Sequence, residues 1–162
     1  MTDVVALLQE FAREKLAALL RHQSSARFVS QYDVNNTYQY IINREEAQLS
    51  WVAKAIEELG GAVPADASAP ERSPAGKAAA AARVVLEEDA RDAQAFVDRW
   101  RARIDEMPNA RHAKMLRVVL GEVLEAKRFF EQALAGRTDL LGRRGETLGP
   151  SHGDVLASRW IE

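Results

Sequence analysis

Between Gly60 and Pro74 the chain carries Gly60, Gly61, Pro64, Pro70 and Pro74 with Ala, Ser and Asp among them, three of its five prolines. Proline lacks a backbone donor and clashes inside a helix, so no helix runs through this stretch. On either side, apolar residues recur at helical spacing. A linker of about 15 residues, at about 3.3 Å per extended residue, covers on the order of 50 Å. A helix of about 23 residues is only about 35 Å long. The linker can therefore carry the chain back along a whole helix, and the two helices it joins are expected to lie parallel.

Helix one is expected over residues 3–30, with Val4, Leu7, Leu8, Phe11, Ala18, Leu19, Ser25, Ala26 and Val29 on one face. Glu10, Arg13, Lys15 and Arg21 read as mostly off that face, and His22 as on it. Asp33, Asn35 and Asn36 favour local side-chain bonding, which places a turn at residues 31–36. Helix two then runs from about Thr37 to Gly60-Gly61, with Ile42, Leu49, Val52, Ala53, Ile56 and Leu59 as its stripe. Helix three is expected from Ala75 to Glu106, with Val85, Phe96, Trp100, Ile104 and Met107 inward and Asp89 and Asp92 interrupting them. Pro108-Asn109 makes a short connection. Helix four runs from Ala110 to Leu134 and stops at Ala135-Gly136.

This order specifies an all-α fold: a four-helix bundle made of two antiparallel hairpins joined by a long crossover. The bundle takes residues 1–136. Residues 137–162 form an irregular, glycine-containing C-terminal extension. Leu140, Leu141, Val155, Leu156, Trp160 and Ile161 suit it to docking on the bundle or on a second subunit.

Composition narrows the partners. Lys+Arg at 22 against Asp+Glu at 24 gives a formal charge of -2, without long runs of one sign, which argues against nucleic acid or an anionic membrane surface. The absence of cysteine removes disulfides, thiol nucleophiles and iron–sulfur clusters. With no basic-then-apolar leader and no apolar run near 20 residues, a cytoplasmic protein is expected.

The stripe of helix two is broken by Glu45 and Glu46, and a carboxylate in an apolar stripe must be paired, protonated or bound to metal. Adjacent residues lie about 100° apart on a helix, so only one of the two can point fully inward. Counting 1.5 Å per residue from each turn puts His22, Glu46, Asp92 and Glu122 at similar depths on the four helices. Glu125 lies on the same face as Glu122, where two carboxylates repel unless a cation or a proton intervenes. His22, Glu46, Asp92, Glu122 and Glu125 are thus a candidate metal site, with hard oxygen donors and one imidazole suited to iron, manganese or zinc. A buried His22–Glu46 ion pair without metal is the alternative. His112 and His152 read as surface residues, and Trp51 and Trp100 as packing residues.

The run Arg44-Glu45-Glu46-Ala47-Gln48-Leu49-Ser50-Trp51, followed by Ala55-Ile56-Glu57-Glu58-Leu59-Gly60-Gly61, resembles the second helix of the ferritin-like superfamily, particularly its small rubrerythrin-like bacterial members. That helix bears Glu-x-x-His and often closes on Leu-Gly-Gly. Gly121-Glu122-Val123-Leu124-Glu125 resembles the fourth-helix counterpart, and the architecture covers residues 3–135. The resemblance implies a di-iron site with a Glu from each of two helices and a Glu-x-x-His from each of the others. Here Leu49 and Glu125 stand where the histidines belong, His22 (or Gln23) replaces the first-helix glutamate, and Asp92 the third. The expected function is a ferritin-like bundle whose degenerate site binds a metal ion weakly or not at all, with no assigned catalytic residue. The alternatives are a non-catalytic bundle acting as a homodimer or partner-binding module, and a bundle holding a small organic ligand between its helices.

Overall fold

The computed structural model describes residues 3–141. They form four helices: α1 Val4–Ala26, α2 Tyr32–Glu58, α3 Ala78–Asp105 and α4 Ala110–Leu134. Asp3 caps α1 by accepting hydrogen bonds from the Val5 and Ala6 amides. Asn109 caps α4 by accepting from the His112 amide, so the Pro-Asn connection both ends α3 and starts its partner. The α2 and α4 C-termini close identically. Gly60 and Gly136 adopt φ of 78° and 88°, and the amides of Gly61 and Arg137 reach back to the carbonyls of Ile56 and Gln132. Gly61 has a further constraint, because a Cβ there would lie 2.5 Å from Val5 Cγ1.

The first turn is not where Asp33, Asn35 and Asn36 suggest. It occupies residues 27–31, and these three residues open α2 instead. The Gln31 side chain accepts from the Val34 amide, and Asp33 sits favourably at the positive end of the helix. Asn35 Nδ2 donates to the carbonyls of Ala26 and Val29, closing the free end of α1 from across the turn. The polar side chains serve helix ends on both sides, which is why they need not lie in the loop.

Cross-helix pairs give the topology. Glu10 and Glu14 of α1 meet Arg103 and Arg99 of α3, and Arg44 and Glu58 of α2 meet Glu122 and Arg111 of α4. Both sets run in opposite senses along the chain, so α2 and α3 are parallel and joined by the long crossover. The hairpins α1–α2 and α3–α4 are closely packed.

The core has two apolar parts. One joins Leu8, Phe11, Val52, Ile56, Phe96, Trp100, Ile104, Leu116 and Val119. Trp100 is fully buried with its ring edge-on to Phe11, and its Nε1 donates to Glu14. Burying one such side chain contributes about 1.5–3 kcal/mol. The other part, at the opposite end, joins Val29, Val34, Tyr38, Ile41, Val85, Leu86, Phe129, Phe130 and Leu140. From the C-terminal extension Leu140 packs on the bundle, whereas Leu141, expected to dock with it, is exposed. The expected docking of Val155, Leu156, Trp160 and Ile161, like the reading of His152, lies outside the described residues. Between the two apolar parts lies a layer of charge.

Candidate functional site

The layer is built by the helical repeat. On α1, Lys15 follows Leu8 by seven residues and His22 follows Lys15 by seven, so both point where Leu8 points. On α2, Glu45 and Gln48 lie between Ile41 and Val52 on the same stripe. Asp89 on α3 lies four residues before Ala93 and four after Val85. All five side chains are buried: Lys15, Glu45 and Gln48 are 3%, 3% and 2% exposed, and Asp89 is 0%.

Glu45 stands at the centre. His22 Nδ1 makes a short hydrogen bond to its Oε1, and Lys15 Nζ lies 3.8 Å from its Oε2. On the other side of the imidazole, His22 Nε2 lies 3.8 Å from Asp89 Oδ1. Tyr38 donates its hydroxyl to Asp89 Oδ2 at 2.6 Å. The remaining partner of Asp89 comes from the crossover: Arg72 donates to Asp89 and to Asp92, each at 2.7 Å, and pairs with Glu88 at 2.9 Å. The Arg72 amide and its Nε also donate to the hydroxyls of Ser24 and Ser25. On the α4 side, Arg44 and Gln48 donate to the two oxygens of Glu122, at 2.6 and 3.1 Å.

Burial and charge act against one another here. Burial alone would lower the His22 pKa, but the charge and hydrogen bond of Glu45 outweigh it, and His22 is raised above its ordinary 6.5. Burial opposes ionisation of Glu45, yet His22 and Lys15 hold it below its ordinary 4.5. Burial pushes the Lys15 ammonium down, only partly offset by Glu45 and Glu122. Burial and the neighbouring Asp89 keep the Tyr38 phenol protonated far into the alkaline range.

These directions fix a pH profile. The His22 contribution to stability is complete below pH 6.5 and is lost as pH rises through its raised value. The Glu45 contribution is complete above pH 4.5 and is lost as pH falls through its lowered value. Lys15 acts in the opposite sense: the unfolded chain holds its proton more tightly, so its share of stability rises towards pH 10.5. Urea midpoints of a Lys15→Met variant, which removes that rise, are expected to fall on both sides of a plateau. The alkaline fall should vanish when His22→Phe is added. An alkaline limb that persists in the double variant would show that His22 is not its source.

His22, Asp92, Glu122 and Glu125 line a cavity of about 40 Å³ between the four helices, together with Lys15, Arg44, Glu45, Gln48, Phe96 and Phe129. Glu46, expected among them, is exposed, and Glu45 takes the interior place. The register is one residue earlier than the stripe through Leu49 suggests. The inward pair three residues apart is Glu45 and Gln48, not Glu46 and Leu49. On α3 the fully buried acid is Asp89, whereas the Asp92 side chain is 39% exposed. Their neutralising cations are Arg72 and Arg21. His112, expected at the surface, is buried at the start of α4.

The seven-residue spacing from Leu8 through Lys15 to His22 carries the signal for Lys15, and the spacing Ile41, Glu45, Gln48, Val52 carries the signal for the α2 pair. Nothing in the local sequence marks Arg72, because its partners are 17 and 20 residues away across a proline-rich segment.

The donor set does not fit a metal. Most carboxylates of the layer already face a cation: Glu45 faces His22, Asp89 and Asp92 face Arg72, and Glu122 faces Arg44, while Glu125, in the lining of the same cavity, has no ion pair among the described residues. Among the described residues no group of three or more His, Asp or Glu side chains is arranged to hold a metal ion. No helix among them is long and apolar enough to cross a membrane. No protein-family model, curated protein or solved structure matches this chain.

Proposed function

We propose that this chain is a ferritin-like bundle in which internal ion pairs stand where the family's metal centre would be, and that it works as a non-redox, small-ligand-binding bundle. The observation that supports this reading is the position of Lys15 and His22 on the two oxygens of Glu45. A divalent ion at Glu45 would have to displace a protonated imidazole and sit beside a lysine nitrogen. Repulsion and lost hydrogen bonds both oppose it. Ligand binding is favoured by the cavity itself, which joins apolar walls from Ile41, Phe96 and Phe129 to two acceptors without hydrogen bonds, Glu45 Oε2 and Gln48 Oε1.

Elemental analysis tests the metal half of this reading. Protein purified without an affinity tag from metal-supplemented medium is expected to carry iron, manganese and zinc well below one ion per chain. One tightly held ion per chain would overturn the proposal.

A further inference from the structure

In the charged layer one amine is ion-paired without a close hydrogen bond. Arg72, Arg44 and His22 each make hydrogen bonds to the carboxylates they face. Lys15 Nζ, by contrast, lies 3.8 Å from Glu45 Oε2, beyond hydrogen-bond reach, and among the described residues it makes no hydrogen bond. An ammonium ion has three donors and is costly to bury where acceptors do not meet them. The Phe96 ring, 5.6 Å from Nζ, offers a cation a weaker contact that does not replace those bonds. Burial lowers the Lys15 pKa from its ordinary value, so more of this amine is neutral than at an exposed lysine, and the neutral amine is a nucleophile towards carbonyl carbon.

Lys15 also has space in front of it. The cavity of about 40 Å³ that it lines corresponds to about three waters. That suits a carbonyl compound of about one to three carbons.

We propose that Lys15 forms a reversible imine with a small aldehyde or ketone held in this cavity. Nζ bonds to the carbonyl carbon as the C=O π bond opens, giving a carbinolamine. The oxygen then leaves as water with the two amine protons, and a C=N bond remains. No oxidant or reductant is consumed. Phe96 and Phe129 wall the alkyl group, and Gln48 Oε1, buried and without a partner, accepts a hydrogen bond from the carbinolamine hydroxyl. The proposal rests on the metal-free reading of the same cavity.

The test is reductive trapping. Protein incubated with acetaldehyde at neutral pH is treated with borohydride, and ethylated lysines are located by peptide mass spectrometry. Ethylation of Lys15 is expected to be faster than that of the exposed Lys54, Lys77 and Lys114, the direction set by its lowered pKa. A Lys15→Arg variant, which keeps a basic side chain but cannot form an imine, should lose the fast phase and retain the slow one. Ethylation of Lys15 at or below the rate of the exposed lysines overturns the proposal, as does a fast phase that survives in the variant. Metal content measured on the same preparation separates the two readings. Metal-free protein without fast labelling at Lys15 overturns the imine alone, and one tightly held ion per chain overturns the proposed function as well.

Discussion

An Arg72→Ala variant is expected to lose about 3 kcal/mol of unfolding free energy, the lower end of the cost of breaking a buried ion pair from one side. For a chain of this size that lowers the melting temperature by about 10 °C. The cost arises at Asp89, which is completely inaccessible and would lose the guanidinium that faces it. The Tyr38 hydroxyl at 2.6 Å remains as a donor, and His22 Nε2 at 3.8 Å remains near, so the lower end of the range applies. Arg72 also ties the crossover to α1 through Ser24 and Ser25, so the variant frees the strap as well. Adding Asp89→Asn separates the two effects. If the buried charge is the cause, the double variant recovers most of the loss, because the asparagine brings no charge to bury. A double variant as unstable as Arg72→Ala would assign the cost to the strap. Urea unfolding with an unchanged slope is the measurement.

That arginine also shows where reading the sequence stops. The bundle is legible because its information is local: helical periodicity on either side of Gly60–Pro74, a linker long enough to cross, and two glycine stops. The parallel placement of α2 and α3 follows from linker length alone. The site is legible only in depth. His22, Asp92, Glu122 and Glu125 do converge on one cavity. Which of two adjacent glutamates points inward depends on a rotation of about 100°, which a stripe drawn through Leu49 and Leu59 sets wrongly and one drawn through Ile41 and Val52 sets correctly. The charge of Lys15 suggests the outside of the helix, although its spacing from Leu8 and Leu19 puts it inside. The arginine that neutralises Asp89 was out of reach, because periodicity carries no information about a residue that enters the core from a loop.

Glu45→Ala is expected to lose about 3–5 kcal/mol, since it strips His22 and Lys15 of the carboxylate between them. The decisive comparison is with a variant that removes all three groups at once, Lys15→Met, His22→Phe and Glu45→Met. Those side chains roughly preserve volume, and the two apolar parts of the core lie on either side to receive them. Replacing a buried ionic group by apolar side chains of similar volume is often neutral or stabilising by about 1–4 kcal/mol, because the desolvation of each ion exceeds what pairing returns. The triple variant is therefore expected to melt at or above the parent temperature, although it contains the same Glu45 loss that cripples the single variant. Thermal and urea unfolding of the three proteins, side by side, decides the matter. If the triple variant is as unstable as Glu45→Ala, the layer is a structural element, and its presence at mid-bundle says nothing about function. If it is as stable as the parent, stability does not explain why a lysine, a histidine and a glutamate occupy the centre of an otherwise apolar core. The same triple variant then has to lose the fast aldehyde labelling that depends on Lys15.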